Sequence, residues 1–404
     1  MPRKKNLNND ENQMSFAEKK ETTQVDNKQI RNKGELLEYQ IKRLFFFMGY
    51  FCKNNIIIQT STDEPYDIVT DLDVYGIYIH TDFSKKNIWA DCKSGAAQEI
   101  NRIAWLIGIK QMLDVDDILF VKKGTKLSTK LYANCNDIQI VDLRIINDME
   151  KRYGIKGDDW RGSWNPVVQN QNIVVFKNIS TPDNTICKRI YKFITMYYWT
   201  IEDNFTKCKK TITALRDLAT LSDIPIRVDE QRAVRWAIYQ LTNMLMLPIL
   251  QICRQIQYLP DKDRVDIIVN GLIYGSNSKS KIDDILRITN NIAKKTLYKY
   301  CGDEKKIIDL PEIKLNEPDY TEAFIDMLFR IIERPICYFD ILRFLDFSFF
   351  QYDLCGEQYN IEELSTIFNN VPELIQSTKT FLHFVCYITN MPQKIFILLS
   401  ERKD

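Results

Sequence analysis

The order of hydrophobic patterns between residues 34 and 145 constrains the fold more than any other feature of this sequence. It begins with "KGELLEYQIKRLFFFMGY", where Leu37, Ile41 and Leu44 recur at helical spacing before Gly49 ends the helix. Three strand patterns follow, "FCKNNIIIQT", "DIVTDLDVYGIYI" and "IWADCK", and the turn-like "HTDFSKKN" joins the last two into a hairpin.

The pattern then alternates between helices and strands. "AAQEINRIAWLIGIKQML" is typical of an amphipathic helix, "DILFVKK" of a short apolar strand, "LSTKLYANCND" of a helix and "IQIVDL" of a strand. The resulting order is α-β-β-β-α-β-α-β, an antiparallel hairpin followed by βα crossovers. It predicts an α/β fold with a mixed central sheet flanked by helices on both faces.

With 404 residues, the chain is too long for one typical core, so we expect two folded units. Residues 1–33 are polar and charged and predict a flexible tail. The α/β domain spans residues 34–146, and residues 147–182 form a glycine-containing linker in which "NIVVFKN" is interpreted as one more strand. Residues 183–404 show almost only helical patterns and predict a largely α-helical C-terminal domain.

Composition excludes several protein classes. The chain has only two histidines, and its ten cysteines include no CxxC pair, which argues against HNH-type nucleases and zinc hydrolases. No secretory signal is apparent, so the cysteines indicate reduced thiols and a cytoplasmic protein. The apolar segment at residues 236–253 contains polar residues and a proline, and it predicts a buried helix rather than a membrane span. We expect no membrane partner.

The stretch "DCK" is the main candidate for chemistry. Side chains at positions i and i+2 of a strand share one face, so Asp91 and Lys93 point the same way. They form either an ion pair on a solvated face or half of a metal site. A hairpin turn centred on Phe83 would pair position 91 with about position 75, close to Asp73.

Two other acids on the preceding strand are weaker candidates for the partner of Asp91: Asp71 is a second choice, and Asp67 would pair too far along the chain. Two carboxylates converging from neighbouring strands suit Mg²⁺ or Mn²⁺, which need few protein ligands and keep several waters. Lys93 would then orient or deprotonate a water, or neutralise charge developing on phosphorus. Cys92 should point to the opposite face, into the core.

At this point the chain resembles the PD-(D/E)XK, or restriction-endonuclease-like, nuclease superfamily over residues 34–145. Asp73 matches the first acid of the motif, and Asp91 with Lys93 matches the second part. The first helix is similar to the opening of Holliday-junction resolvases and type IV restriction nuclease domains, in which a glycine is followed four residues later by a glutamate. Gly34 and Glu38 fill these places, so the resemblance implies that Glu38 is a third acidic metal ligand or a carboxylate that orients water.

The resemblance implies a Mg²⁺- or Mn²⁺-dependent endonuclease that hydrolyses DNA, in bacterial anti-phage defence or restriction. Its implied catalytic residues are Asp73, Asp91, Lys93 and Glu38. The helical half, residues 183–404, would then recognise the target, regulate cleavage, or bind a protein partner or a second copy of the chain. Two alternatives remain open: a nuclease that cuts RNA, and a non-cleaving module that uses a nuclease fold to bind nucleic acid or protein.

Overall fold

The protein is a mixed α/β molecule with a five-stranded sheet and a helical C-terminal half. The computed structural model describes residues 33–92, 99–180, 185–221, 227–301 and 312–400. The predicted tail therefore lies outside the described residues except for Lys33. The strands are β1 Phe51–Gln59, β2 Ile68–Ile79, β3 Lys85–Asp91, β4 Asp117–Val121 and β5 Ile138–Val141.

The five strands lie in the sheet in chain order, β1-β2-β3-β4-β5. The first three strands pair antiparallel, whereas β4 and β5 continue parallel to β3. A short turn fits the antiparallel pair β2–β3, and the parallel pairs need a helix to carry the chain back. The predicted element order and the mixed sheet are confirmed.

Helices cover both faces of this sheet. They are α1 Lys33–Phe47, α2 Glu99–Met112, α3 Leu127–Asn134 and α4 Leu143–Arg152. Residues of α1 and α4, among them Ile41 and Ile146, pack in one apolar cluster with Val74 and Ala90. On the other face, Ile103 and Leu106 of α2 share a cluster with the fully buried Trp89. Gly49 follows α1 at φ 102°, a conformation that suits glycine and turns the chain into β1.

The region predicted as a linker contains helices. The "NIVVFKN" segment belongs to α5 Pro166–Asn178, so the strand prediction is wrong. Asn165 caps this helix by accepting the Val167 and Val168 N–H groups, and Pro166 occupies its first turn. Burial at Val168, Asn172 and Phe176 follows helical spacing. These caps and tertiary packing outweigh the strand preference of the β-branched residues.

The remaining helices form the C-terminal half. They begin with α6 Ile186–Lys192, which continues through a π-helical turn, Phe193–Tyr197, into α7 Tyr198–Thr200. Next come α8 Asn204–Leu221, α9 Val228–Ile256, α10 Asp261–Tyr274 and α11 Lys279–Cys301. The last are α12 Thr321–Glu333, α13 Pro335–Tyr338, α14 Ile341–Ser348, a π-helical turn Phe349–Leu354, α15 Ile361–Ile367, α16 Val371–Thr389 and α17 Ile397–Ser400.

Helix α9 is the centre of the helical half. Within the described part of the chain it is the one helix long and apolar enough to cross a membrane, but 94% of its apolar window is buried inside the protein. Such enclosure is expected of the core helix of a soluble protein. The prediction of a buried helix at residues 236–253 is confirmed.

The sheet and the helical half share one apolar core. Phe51 of β1 and Ile77 of β2 belong to the same buried cluster as Leu245 and Ile249 of α9. The division into domains stays a prediction, but this shared core means that the helices hold one edge of the sheet in place.

Candidate active site

The sheet brings Asp73 and Asp91 opposite each other. Val74 pairs with Ala90 and Tyr75 with Trp89 across β2 and β3, and extending this register by one residue places Asp73 opposite Asp91. The sequence placed the partner of Asp91 at about position 75 because it centred the turn on Phe83. In the structure the His80 N–H donates to the Ser84 carbonyl at 2.9 Å, so the turn is centred one residue before Phe83. This shift changes the residue opposite Asp91 by two positions, from 75 to 73.

Asp73 is buried and held by the end of β3. Its side chain is 8% exposed, and its Oδ2 accepts the backbone N–H of Cys92 at 2.6 Å. The Cys92 side chain lies in the apolar cluster beneath α1, so the prediction that it points into the core is confirmed. Burial, with the nearby charges of Asp73 and Glu38, raises the pKa of the Cys92 thiol well above its usual range. The thiol is therefore protonated at neutral pH.

Asp91 is the more deeply buried acid, at 1% exposure, and it makes a two-point ion pair with Arg102 of α2. The Arg102 Nε donates to Oδ2 at 2.9 Å, and Nη2 donates to Oδ1 at 2.5 Å. The Arg102 guanidinium also lies 3.8 Å from the centre of the Trp105 ring. This geometry compensates a charge that would otherwise be costly to bury.

Sequence reasoning missed Arg102. The available signal was its spacing from Trp105, because residues three apart on a helix are neighbours, so an arginine there can lie against the ring. Nothing in the local pattern, however, indicates that the same arginine reaches back to Asp91, eleven positions earlier in the chain.

Glu38 lies on α1, close enough to Asp73 for the two carboxyl groups to interact electrostatically. Burial, together with the negative charges of Asp73, Glu35 and Asp71, raises its pKa to about 7. A carboxyl group with a pKa near neutrality exchanges its proton readily at physiological pH, which suits a general acid or base. The second-choice acid, Asp71, thus lies close enough to influence Glu38, although it is exposed in β2.

Lys93, the predicted lysine of the motif, lies outside the described residues, so its position relative to Asp91 stays a prediction. Within the described part of the chain, no three or more His, Cys, Asp or Glu side chains are grouped closely enough to enclose a metal ion. Mg²⁺ commonly binds proteins through only one or two carboxylates and retains several waters. The oxygen donors of Asp73 and Asp91 therefore fit such an ion, provided that Arg102 yields or shares Asp91.

No family model, curated protein or solved structure was found to match this chain. The functional interpretation of the site therefore depends on its own geometry and on the resemblance of its motifs. The site contains two buried carboxylates at the end of β3, Asp73 and Asp91, and Arg102 neutralises Asp91. A third carboxyl group with a raised pKa, that of Glu38, lies nearby.

Proposed function

We propose that this protein is a Mg²⁺- or Mn²⁺-dependent endonuclease that hydrolyses phosphodiester bonds in DNA, built on a restriction-endonuclease-like α/β unit. The observation that carries the proposal is the placement of Asp73 opposite Asp91 on neighbouring strands. Two carboxylates that converge on one face offer the hard oxygen donors that Mg²⁺ uses, and Mg²⁺ needs only one or two such ligands from the protein.

The order of elements supports the proposal. A helix, an acid on one strand, Asp-x-Lys on the next, and then a helix and an apolar strand is the arrangement on which the resemblance to PD-(D/E)XK nucleases depends, and α1, β2, β3, α2 and β4 follow it. The setting in bacterial anti-phage defence or restriction, and the cytoplasmic location, belong to the same proposal and derive from the resemblance and the composition.

In the proposed reaction, Asp73 and Asp91 hold the cation. When bound, a divalent cation lowers the pKa of water and offsets negative charge on the phosphate. The Cys92 N–H keeps the Asp73 carboxylate oriented. Glu38 accepts or returns a proton near neutral pH, and Lys93 orients the attacking water or stabilises the charge that grows on the phosphate.

A non-cleaving binding module is the second candidate, and one observation favours it. Both Asp91 oxygens already accept hydrogen bonds from Arg102, so this carboxylate is neutralised without any ion. A site retired from catalysis could keep this ion pair solely for stability. The two functions differ in one respect that can be measured, namely whether the protein cuts nucleic acid when a divalent metal is present.

The test is a cleavage assay on plasmid, linear and single-stranded DNA and on RNA, with Mg²⁺, Mn²⁺ or EDTA. We expect DNA cleavage with either metal and none with EDTA. Asp73→Asn and Asp91→Asn should lose both cleavage and Mn²⁺ binding, the latter followed by calorimetry. Lys93→Ala should slow cleavage by about 10²–10⁴ yet retain Mn²⁺ binding, because a lysine is not a ligand for this ion.

Asp137→Asn is the matched control for these variants. Asp137 is an exposed acid in the turn before β5, at φ 53°, a conformation that asparagine also adopts, so its replacement should change neither cleavage nor metal binding. Wild-type rates in Lys93→Ala would show that the Asp-x-Lys motif is not catalytic, and cleavage that persists in EDTA would show that the reaction does not depend on a divalent metal. Metal-dependent cleavage of RNA alone would change the substrate class, and no cleavage at all would favour the binding module.

A further inference from the structure

A second site is indicated by a cavity of about 620 Å³ between the sheet and helices α7, α8 and α9. Gln59 of β1, Tyr75 of β2 and Asn87 of β3 line it from the sheet, and Trp199 and Lys207 line it from the helices. Asn87 and Asp91 are four residues apart along β3, which separates them by about 13 Å. The cavity is therefore distinct from the candidate active site.

Two buried amide side chains at this cavity have unsatisfied polar atoms. Gln59 is 3% exposed, and neither its amide nitrogen nor its amide oxygen has a hydrogen-bond partner among the described residues. Asn87 is 2% exposed; its Nδ2 donates to the Asp114 carbonyl at 3.0 Å, but its Oδ1 has no partner there. Native proteins seldom leave such groups unpaired. These atoms have almost no accessible surface, so a ligand in the cavity would bond to them only after the two side chains turn toward it.

Two lysines approach the cavity without a salt bridge in the described part of the chain. Lys207 of α8 and Lys85 at the start of β3 both line it. Burial and, to a smaller extent, the charge of Lys85 lower the pKa of Lys207 to about 8. The acids at the cavity, Asp114 and Glu202, are exposed and form no salt bridge with either lysine in the described residues. An anion between the two lysines would relieve their repulsion.

Aromatic side chains supply a surface for a planar group. Trp199 and Tyr75 both line the cavity, with ring centres 5.9 Å apart and nearly perpendicular planes. The Trp199 Nε1 already donates to the Ile194 carbonyl at 2.9 Å, which fixes the indole in place. A fixed ring can contact a flat ligand without loss of side-chain entropy on binding. The cavity volume is in the range of sites that enclose small cofactors.

From these features we infer that the cavity binds a nucleotide, with its phosphate between Lys85 and Lys207 and its base against Trp199, and that the Gln59 and Asn87 amides turn toward the bound base. A planar ring edged with donors and acceptors and joined to a phosphate is the ligand class that uses all three features together. Asparagine and glutamine amides each present a donor beside an acceptor, which matches the edge of a nucleobase. This inference adds to the proposed cleavage activity and uses different residues.

The test is calorimetric titration of the full-length protein with AMP, GMP, CMP and UMP in EDTA, with adenosine and inorganic phosphate as partial ligands. We expect at least one nucleotide to bind with a stoichiometry of one and about tenfold or more tightly than adenosine or phosphate. Lys207→Gln should weaken that binding by about tenfold or more, since it removes a charged hydrogen bond. Lys210→Gln, an exposed lysine of the same helix outside the cavity, should bind as wild type does.

Circular dichroism melts of both variants would confirm that they are folded before binding is compared. The inference would be overturned by wild-type binding in Lys207→Gln, by inorganic phosphate binding as tightly as every nucleotide, or by no nucleotide binding up to about 1 mM. Binding of a 5′-phosphorylated oligothymidine without any mononucleotide binding would also overturn it, because the ligand would then be a strand end. Since EDTA prevents metal-dependent cleavage, failure of this test leaves the nuclease proposal untouched, and failure of the cleavage assay leaves nucleotide binding untouched.

Discussion

Replacing Arg102 with methionine tests whether Arg102 and a metal ion compete for Asp91. Methionine keeps much of the length and the apolar contact with Trp105 but removes the charge. The Asp91 carboxylate, 1% exposed, would then be buried without its two hydrogen bonds from Arg102. If Asp91 is a metal ligand, a divalent cation can take the place of the guanidinium. Arg102→Met should therefore destabilise the metal-free protein and increase its affinity for Mn²⁺.

The expected size follows from the burial of the pair. Removing one partner of a buried ion pair costs about 3–5 kcal/mol of unfolding free energy. For a chain of 404 residues the unfolding entropy is roughly 0.8 kcal/mol per degree, so Tm should fall by about 4–6 °C. Mn²⁺ at a hundredfold excess over its Kd adds about 2.7 kcal/mol, or about 3 °C, to a protein that binds it only when folded.

The assay is a set of thermal melts with and without Mn²⁺ for wild type, Arg102→Met and the double variant Asp91→Asn with Arg102→Met. The single variant should regain most of its lost stability with Mn²⁺ and gain more than wild type does. The double variant has no uncompensated charge and should gain little. Arg144→Met, which removes an exposed arginine 3.7 Å from Asp142, should leave Tm unchanged. Equal Mn²⁺ shifts in wild type and Arg102→Met would refute competition, and an unchanged Tm in Arg102→Met would refute the importance of the buried pair.

Two further predictions concern stability. Gly271→Ala should lower the unfolding free energy, measured by urea titration, by about 1–3 kcal/mol, because an added Cβ would lie 2.4 Å from the Phe205 ring. Gly108→Ala, which adds a Cβ into open space on helix α2, should be neutral or stabilising. Equal changes in unfolding free energy for the two variants would contradict this reasoning. Burial lowers the pKa of Lys53 from 10.5 to about 7, so between these values the folded protein holds fewer protons than the unfolded chain. The unfolding free energy should therefore rise between pH 7 and pH 9, and Lys53→Met should reduce the slope of unfolding free energy against pH in this range. An identical slope in the wild type and the variant would count against a buried, neutral Lys53.

The sequence by itself determined the order of the elements and the faces of most of them. Helical spacing in α1 and strand alternation in β2 are local properties, since each pattern depends only on residues a few positions apart in the sequence. The burial of Cys92 followed from the same alternation. Local rules were insufficient at Pro166–Asn178, where β-branched residues suggested a strand and tertiary packing together with the Asn165 cap produced a helix.

Only the tertiary structure decided the partners of the site residues. The strand register depends on where the β2–β3 turn closes. The sequence predicted Asp73 as the partner acid from a register that paired Asp91 with about position 75, and the turn in the structure shifts that register so that Asp73 lies directly opposite Asp91. The Arg102 ion pair, the raised pKa of Glu38 and the cavity at Gln59 depend on residues distant in sequence that meet only when helices pack on the sheet. Burial and electrostatic coupling are properties of these neighbours in space, and local sequence patterns do not encode them.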